Sequence, residues 1–101
     1  MSVIDEIAAE RDRQITKEGW SFDHDDEHVD GSLAAAASTY AWFGSFGDAE
    51  RDATNKNVAV ASLWPASWSR RWFKPKSQRR DLIRAAALII AEIERLDRVK
   101  P

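Results

Sequence analysis

The chain has 101 residues, a formal net charge of −2 and no cysteine. Its length suits a single domain, residues 1–101, with a modest hydrophobic core, and the missing cysteine excludes disulfides and thiolate metal sites. The sequence contains neither an uncharged apolar run long enough to cross a membrane nor a basic N-terminal segment followed by an apolar one, so we expect a cytoplasmic protein without a membrane partner.

The charges are distributed unevenly along the chain. Residues 1–52 hold 13 acidic and 4 basic side chains, whereas residues 53–80 hold 7 basic and no acidic ones. Such a chain can pair its acidic part with its basic part, within one molecule or between subunits, or it can present a basic pocket to an anion. Duplex nucleic acid is not an expected partner, because it would be repelled by the slightly acidic remainder of the molecule.

A first helix is predicted to begin near Val3, after a capping box formed by Ser2 and Asp5, and to end near Glu18. Its apolar face is expected to comprise Ile4, Ile7, Ala8, Arg11 and Ile15.

A second helix is predicted from about Gly31 to Phe43, with Asp30 as its N-cap. Four consecutive alanines (34–37) allow other helices to approach closely, so this helix should be central. Its apolar stripe is expected to comprise Leu33, Ala36, Ala37, Tyr40 and Phe43. Residues 44–63 should then return to the core, with either a short polar helix or a loop over residues 48–57.

The last helix is predicted over about Gln78 to Val99, with Ser77 as its N-cap. Its wide apolar face should comprise Leu82, Ile83, Ala86, Ile89, Ile90, Ile93 and Leu96. Because one antiparallel neighbour would not cover this face, we expect burial among several helices or in a subunit interface. The predicted architecture is therefore all-α: a small bundle of three main helices with a basic-aromatic connecting segment, forming a homo-oligomer.

The connecting segment, residues 64–80, combines aromatic and basic side chains. Trp64, Trp68 and Trp72 recur every four residues, and Pro65 is predicted to open a short helix that aligns them. Aromatic rings can stack on a nucleotide base while arginine and lysine bind its phosphates. The predicted ligand-binding residues are Trp68, Arg70, Arg71, Trp72, Lys74, Arg79 and Arg80. The alternative is a hydrophobic corner in which the rings fill the core and the basic groups face solvent.

Two acidic motifs could hold a divalent cation such as Mg²⁺ or Mn²⁺. Residues 24–28 read His-Asp-Asp-Glu-His, from which Asp25, Asp26 and His28 are the best ligand candidates. Glu94 and Asp97 lie three residues apart on the last helix and could share one ion. The alternatives are a helix-capping loop for the first motif and an exposed charged helix end for the second.

Several motifs along the chain together carry a resemblance to a family. They are ERDRQ (10–14), EGW (18–20), HDDEH (24–28), DGSLA (30–34), WFKP (72–75), RRDL (79–82) and AEIERLDR (91–98). This series resembles small phage and prophage proteins, which implies a phage-encoded protein acting in a bacterial cytoplasm. A fainter similarity is to the all-α NTP pyrophosphohydrolases of the MazG-like group. That group chelates Mg²⁺ through two carboxylate motifs, and Glu94 and Asp97 match the second of them.

These observations lead to three functional hypotheses. The first is a non-catalytic protein, without a cofactor, that binds a phosphorylated nucleotide and sequesters it, as a phage protein that counters bacterial defence could sequester an immune signal. The second is a metal-dependent nucleotide pyrophosphohydrolase that uses the acidic motifs. The third is an inhibitor that binds a host protein through exposed tryptophan and arginine side chains.

Overall fold

The structure, a computed structural model, describes residues 2–17 and 30–99. In this part of the chain it contains four α-helices and no strand. The helices are α1 (Val3–Lys17), α2 (Ser32–Phe43), α3 (Ala53–Leu63) and α4 (Gln78–Arg98). Two short 3₁₀ turns, Asp48–Glu50 and Arg70–Trp72, lie between them. The predicted all-α fold is confirmed, with α3 as an additional helix in the region that the sequence left as helix or loop.

Helix α1 begins as predicted but buries a different face. The Asp5 N–H donates to the Ser2 hydroxyl at 3.1 Å, and the Ser2 N–H donates to the Asp5 carboxylate at 3.3 Å, which completes the capping box. The predicted inward-facing Ile4 is 74% exposed, whereas Glu10 and Gln14 are 1% and 2% exposed. Of the predicted face, Arg11 is buried and Ile7 and Ile15 are half-buried, so the prediction is wrong for Ile4 and Ala8. The contact of α1 with α4 includes the ion pairs of Glu10 with Arg80 and of Arg11 with Glu94.

Helix α2 is central, as its alanines predict, and it packs against both α3 and α4. Its predicted apolar stripe is buried in full. Its N-cap is Gly31, in the left-handed conformation with φ of 81°, and not the predicted Asp30. The Asp30 carboxylate instead accepts a hydrogen bond, at 3.1 Å, from the N–H of Ser32, which is the first residue of the helix.

Helix α3 begins at an aspartate N-cap that the sequence analysis missed. The Asp52 carboxylate accepts from the Asn55 N–H at 2.9 Å. The helix ends at Leu63, and its C-cap residue, Trp64, is extended because a proline follows it.

Residues 64–77 do not form the predicted α-helix. The Trp68 N–H donates to the Pro65 carbonyl at 3.1 Å in a single turn, and Ser69 then returns to an extended conformation. Trp64, Trp68 and Phe73 are buried together in the core. The rings are therefore brought together by tertiary packing, which overrides the helical spacing of the tryptophans.

Helix α4 has the predicted N-cap, since the Ser77 hydroxyl accepts from the Arg80 N–H at 3.1 Å. Its buried apolar side chains are Ile83, Ala85, Ala87, Leu88 and Ala91. Among the residues of the predicted apolar face, only Ile83 is buried. The larger ones, Leu82, Ile89, Ile90, Ile93 and Leu96, are 38–52% exposed. Burial of the whole predicted face within one molecule is therefore wrong, since the small alanines face α2 instead.

Because Ser77 satisfies one N–H at the start of α4, Ser77→Ala should lower the free energy of unfolding by about 1 kcal/mol. Urea denaturation followed by circular dichroism measures this change. Ser62→Ala, an exposed serine inside α3, serves as the control and should have almost no effect. Equal stability of the two variants would contradict the capping role.

Candidate functional site

The aromatic part of residues 64–73 is mostly core. Trp68 is 4% exposed and Trp64 8%, and their rings meet edge to face with centroids 5.6 Å apart. Phe73 lies between Trp64 and Tyr40, with ring centroids at 5.3 and 4.9 Å. The predicted hydrophobic corner thus describes Trp64 and Trp68. With Trp68 inside the core, its predicted stacking on a ligand would require the core to open.

Trp72 is the aromatic residue of this segment that reaches solvent, at 45% exposure. Its ring contacts the Trp68 ring edge to face at 5.6 Å. The Tyr40 hydroxyl donates to the Trp72 carbonyl at 3.3 Å and accepts from the Lys74 N–H at 2.9 Å. This buried tyrosine therefore holds the backbone on both sides of Phe73 and presents the Trp72 ring at the surface.

Four basic side chains surround Trp72 in the sequence and are exposed: Arg70, Arg71, Lys74 and Lys76. None of the four has a carboxylate partner among residues 2–17 and 30–99. Ser69 caps the 3₁₀ turn of the two arginines by accepting from the Arg71 N–H at 3.2 Å. We call Arg70, Arg71, Trp72, Lys74 and Lys76 the basic surface.

A shallow cleft of about 260 Å³ adjoins the basic surface at Lys76. Its walls include Lys56 and Pro75, and the Arg51 guanidinium lies 4.1 Å from the centre of the Phe43 ring at its base. Asp52 also lines the cleft and balances one of the two lysines, Lys56 and Lys76, so a net positive charge remains there, which suits an anionic group.

The other two predicted phosphate ligands, Arg79 and Arg80, are occupied by α1. Arg79 binds the Glu6 carboxylate through both of its terminal nitrogens, each at 2.7 Å. This hydrogen bond lowers the pKa of Glu6 and raises that of Arg79. Arg80 donates to Glu10. A phosphate role for either arginine stays a prediction, and it would require these ion pairs to break.

Glu10 is the centre of a buried polar cluster that the sequence analysis did not find. Besides Arg80, its carboxylate accepts from Arg13 at 2.7 and 2.8 Å and from the Gln14 amide at 3.2 Å. Burial alone would raise the pKa of Glu10, but the hydrogen bond and charge of Arg13, with the charges of Arg80 and Arg84, outweigh it and lower that pKa.

A second buried pair fixes the start of α4. Asp81 is fully buried and accepts from Arg51 and from the Lys76 N–H, the latter at 2.9 Å. Asp48 accepts from the Gln78 N–H at 2.7 Å. Lys76 is a residue of the basic surface, and its backbone N–H is bound by Asp81. These contacts therefore hold the backbone at one end of the basic surface. The only sign of this pair in the sequence is that Asp81 is an acidic residue in the first turn of a helix. That position does not identify Arg51 as its partner.

The predicted metal ligands are only partly within the described residues. Asp25, Asp26 and His28 lie outside them. Glu94 accepts from the Arg11 guanidinium at 3.3 Å, and Asp97 is exposed. Within residues 2–17 and 30–99, no group of three or more metal-ligating side chains occurs.

Comparison with protein-family models, with curated proteins and with solved structures finds no match to this chain. None of the described helices is long and apolar enough to cross a membrane.

Proposed function

We propose that this protein binds a phosphorylated nucleotide without catalysis, through the basic surface. The observation that carries the proposal is the set of four exposed basic side chains, without carboxylate partners in the described residues, around a half-exposed tryptophan. In this arrangement Trp72 stacks on the base, and Arg70, Arg71 and Lys74 bind phosphate. Lys76 and the adjoining cleft would hold a further anionic group.

The rigid backbone favours this use of Trp72. Because Tyr40 and the buried Phe73 fix the chain on either side of it, little conformational entropy is lost when a base stacks on the ring. The resemblance to phage proteins would make a nucleotide immune signal of a bacterial host a suitable ligand, and sequestration the biological outcome. Both the identity of the ligand and its sequestration belong to the proposal.

Binding to a host protein through the same surface is a second candidate. The basic surface is open, and the adjoining cleft is shallow, whereas small-molecule sites usually enclose most of their ligand. Tryptophan and arginine are also the residues that contribute most to protein interfaces. The hydrolase alternative has less support, since one of its predicted ligands, Glu94, is engaged by Arg11.

A nucleotide panel separates the three hypotheses. Nucleoside triphosphates, cyclic mono- and dinucleotides and ADP-ribose derivatives are incubated with the protein, with Mg²⁺ or with EDTA, and chromatographed before and after heat denaturation. A nucleotide that disappears and returns unchanged in both conditions indicates sequestration. Conversion that requires metal indicates a hydrolase. A panel that stays entirely unbound and unchanged contradicts both nucleotide hypotheses and favours a protein partner.

Substitution of individual arginines then tests which surface binds the nucleotide. Arg70→Ala combined with Arg71→Ala should weaken binding of the retained nucleotide by at least about 100-fold, because each of the two charge-assisted hydrogen bonds contributes about 1.5–3 kcal/mol. Isothermal titration calorimetry measures the affinity. The matched control is Arg79→Ala, which removes an arginine paired with Glu6 and should leave the affinity unchanged. Loss of binding in Arg79→Ala alone would move the site to the start of α4.

A further inference from the structure

Helix α4 carries a second apolar side that the described fold does not bury. Its inner side packs on α2 through small residues such as Ala85 and Ala91. Its outer side presents larger residues, which are 45–52% exposed at Leu82, Ile89, Ile93 and Leu96. We call these four residues and the half-buried Ala86 the outer stripe.

The outer stripe has the spacing of a coiled-coil seam. Its residues follow one another at intervals of four, three, four and three positions. This 3.5-residue repeat keeps side chains in line along one helix pair and lets each insert between residues of a partner helix. Over two heptads this spacing also describes one face of a straight α-helix, so it places the side chains in one line without specifying a partner by itself. The line is nevertheless long enough to pack along a second helix.

The exposed apolar area of the outer stripe is as large as the largest apolar patch that a typical monomer leaves exposed. The outer stripe and the adjacent Ile90 together expose on the order of 300–400 Å², comparable to the largest apolar patch on a typical monomer and about half of one partner's share of a standard interface. A groove of about 320 Å³ continues the apolar surface between Ile90 and α1, where Ile4, Ile7 and Ala8 line it. Together these surfaces approach the area that a stable dimer needs.

We propose that α4 packs against α4 of a second copy, antiparallel, about a two-fold axis near Ile89. When the same surface of two copies forms the contact, a two-fold symmetric dimer is the favoured arrangement. The helix dipoles favour the antiparallel direction, because an antiparallel pair places the N-terminal end of each helix beside the C-terminal end of the other, whereas a parallel pair places like ends together. The side-chain charges do not oppose this direction: residues 78–88 hold three arginines, of which Arg79 and Arg80 are paired with Glu6 and Glu10, and residues 89–98 hold three acids and two arginines.

This interface lies apart from the residues assigned to nucleotide binding, so it can be tested without a ligand. Sedimentation velocity should give twice the 11.4 kDa chain mass for the wild type. Ile93→Glu should reduce it to the monomer mass with unchanged helicity by circular dichroism. The control is Val58→Glu, which adds the same charge at a residue 45% exposed on α3 and should remain dimeric. A monomeric wild type, or a dimeric Ile93→Glu, overturns the proposal.

The direction of pairing is tested with single cysteines, which is simple because the chain has none. Leu82 and Leu96 lie about 21 Å apart along the helix, at 1.5 Å per residue. In the antiparallel pair, a short thiol crosslinker should join two copies of Ile89→Cys and should not join two copies of Leu82→Cys or of Leu96→Cys. Crosslinking at all three positions indicates a parallel pair and overturns the antiparallel assignment. Crosslinking at none overturns the interface itself.

Discussion

Replacing the buried Asp81 by alanine is expected to lower the free energy of unfolding by about 3–5 kcal/mol, because it leaves the buried Arg51 guanidinium with only the exposed Asp48 carboxylate, 3.7 Å away, as a partner. Asp81 is fully buried, and Arg51 has a side chain only 8% exposed. The Lys76 N–H, which donates to the same carboxylate, would also lose its partner. The change therefore affects α4, the start of α3 and the segment between them.

Urea denaturation at neutral pH measures this loss. Asp12→Ala, on the exposed side of α1, is the matched control and should change stability by less than about 0.5 kcal/mol. Replacing both members of the pair, with Arg51→Met and Asp81→Leu, should cost less than Asp81→Ala alone, since no charge then stays buried. If the double replacement costs the sum of the two single ones, the pair is not coupled and the argument is wrong.

The helices were predictable because their signals are local. Ser2 and Ser77 cap α1 and α4 through hydrogen bonds that span three residues, and the alanine run identifies α2 as the helix that others approach closely. Such signals depend on the backbone conformation of one segment and are readable from the sequence. The all-α fold follows from them.

The inner faces of α1 and α4 were not predictable in the same way. Hydrophobic periodicity places Ile4 inside, but α1 packs through Glu10, whose partner Arg80 lies 70 residues further along the chain. The sequence shows that acidic and basic halves exist and could pair within one molecule. It does not show which carboxylate meets which arginine, because that depends on tertiary geometry.

The candidate site was partly predictable for the same reason. Composition alone identifies residues 64–80 as aromatic and basic. The structure divides them by environment: Trp68 is buried, and Arg79 and Arg80 bind α1. The exposed residues are those of the basic surface, Arg70, Arg71, Trp72, Lys74 and Lys76. The proposed site is thus smaller than the predicted one, and Lys76 joins it because of its position next to the cleft.

Removing the charge of Glu10 with Glu10→Gln should lower the free energy of unfolding by about 2–3 kcal/mol at neutral pH. The Glu10 side chain is fully buried and binds Arg13 and Arg80, which are about one-third exposed. Solvent can therefore hydrate the two guanidinium groups in part, which makes the loss smaller than for the buried pair at Asp81. Glu6→Gln is the control on the same helix and should cost less, since it breaks an exposed ion pair.

The dependence of this loss on pH identifies its cause. The pKa of Glu10 is lower in the folded protein than its ordinary value of 4.5. Its charge therefore stabilises the fold above that value, and the stabilisation disappears as the pH falls through 4.5 towards the folded pKa. Glutamine resembles the protonated side chain, so wild type and Glu10→Gln should converge in stability over this acidic range. A difference that stays constant from neutral to acidic pH would mean that the carboxylate acts through packing and not through its charge.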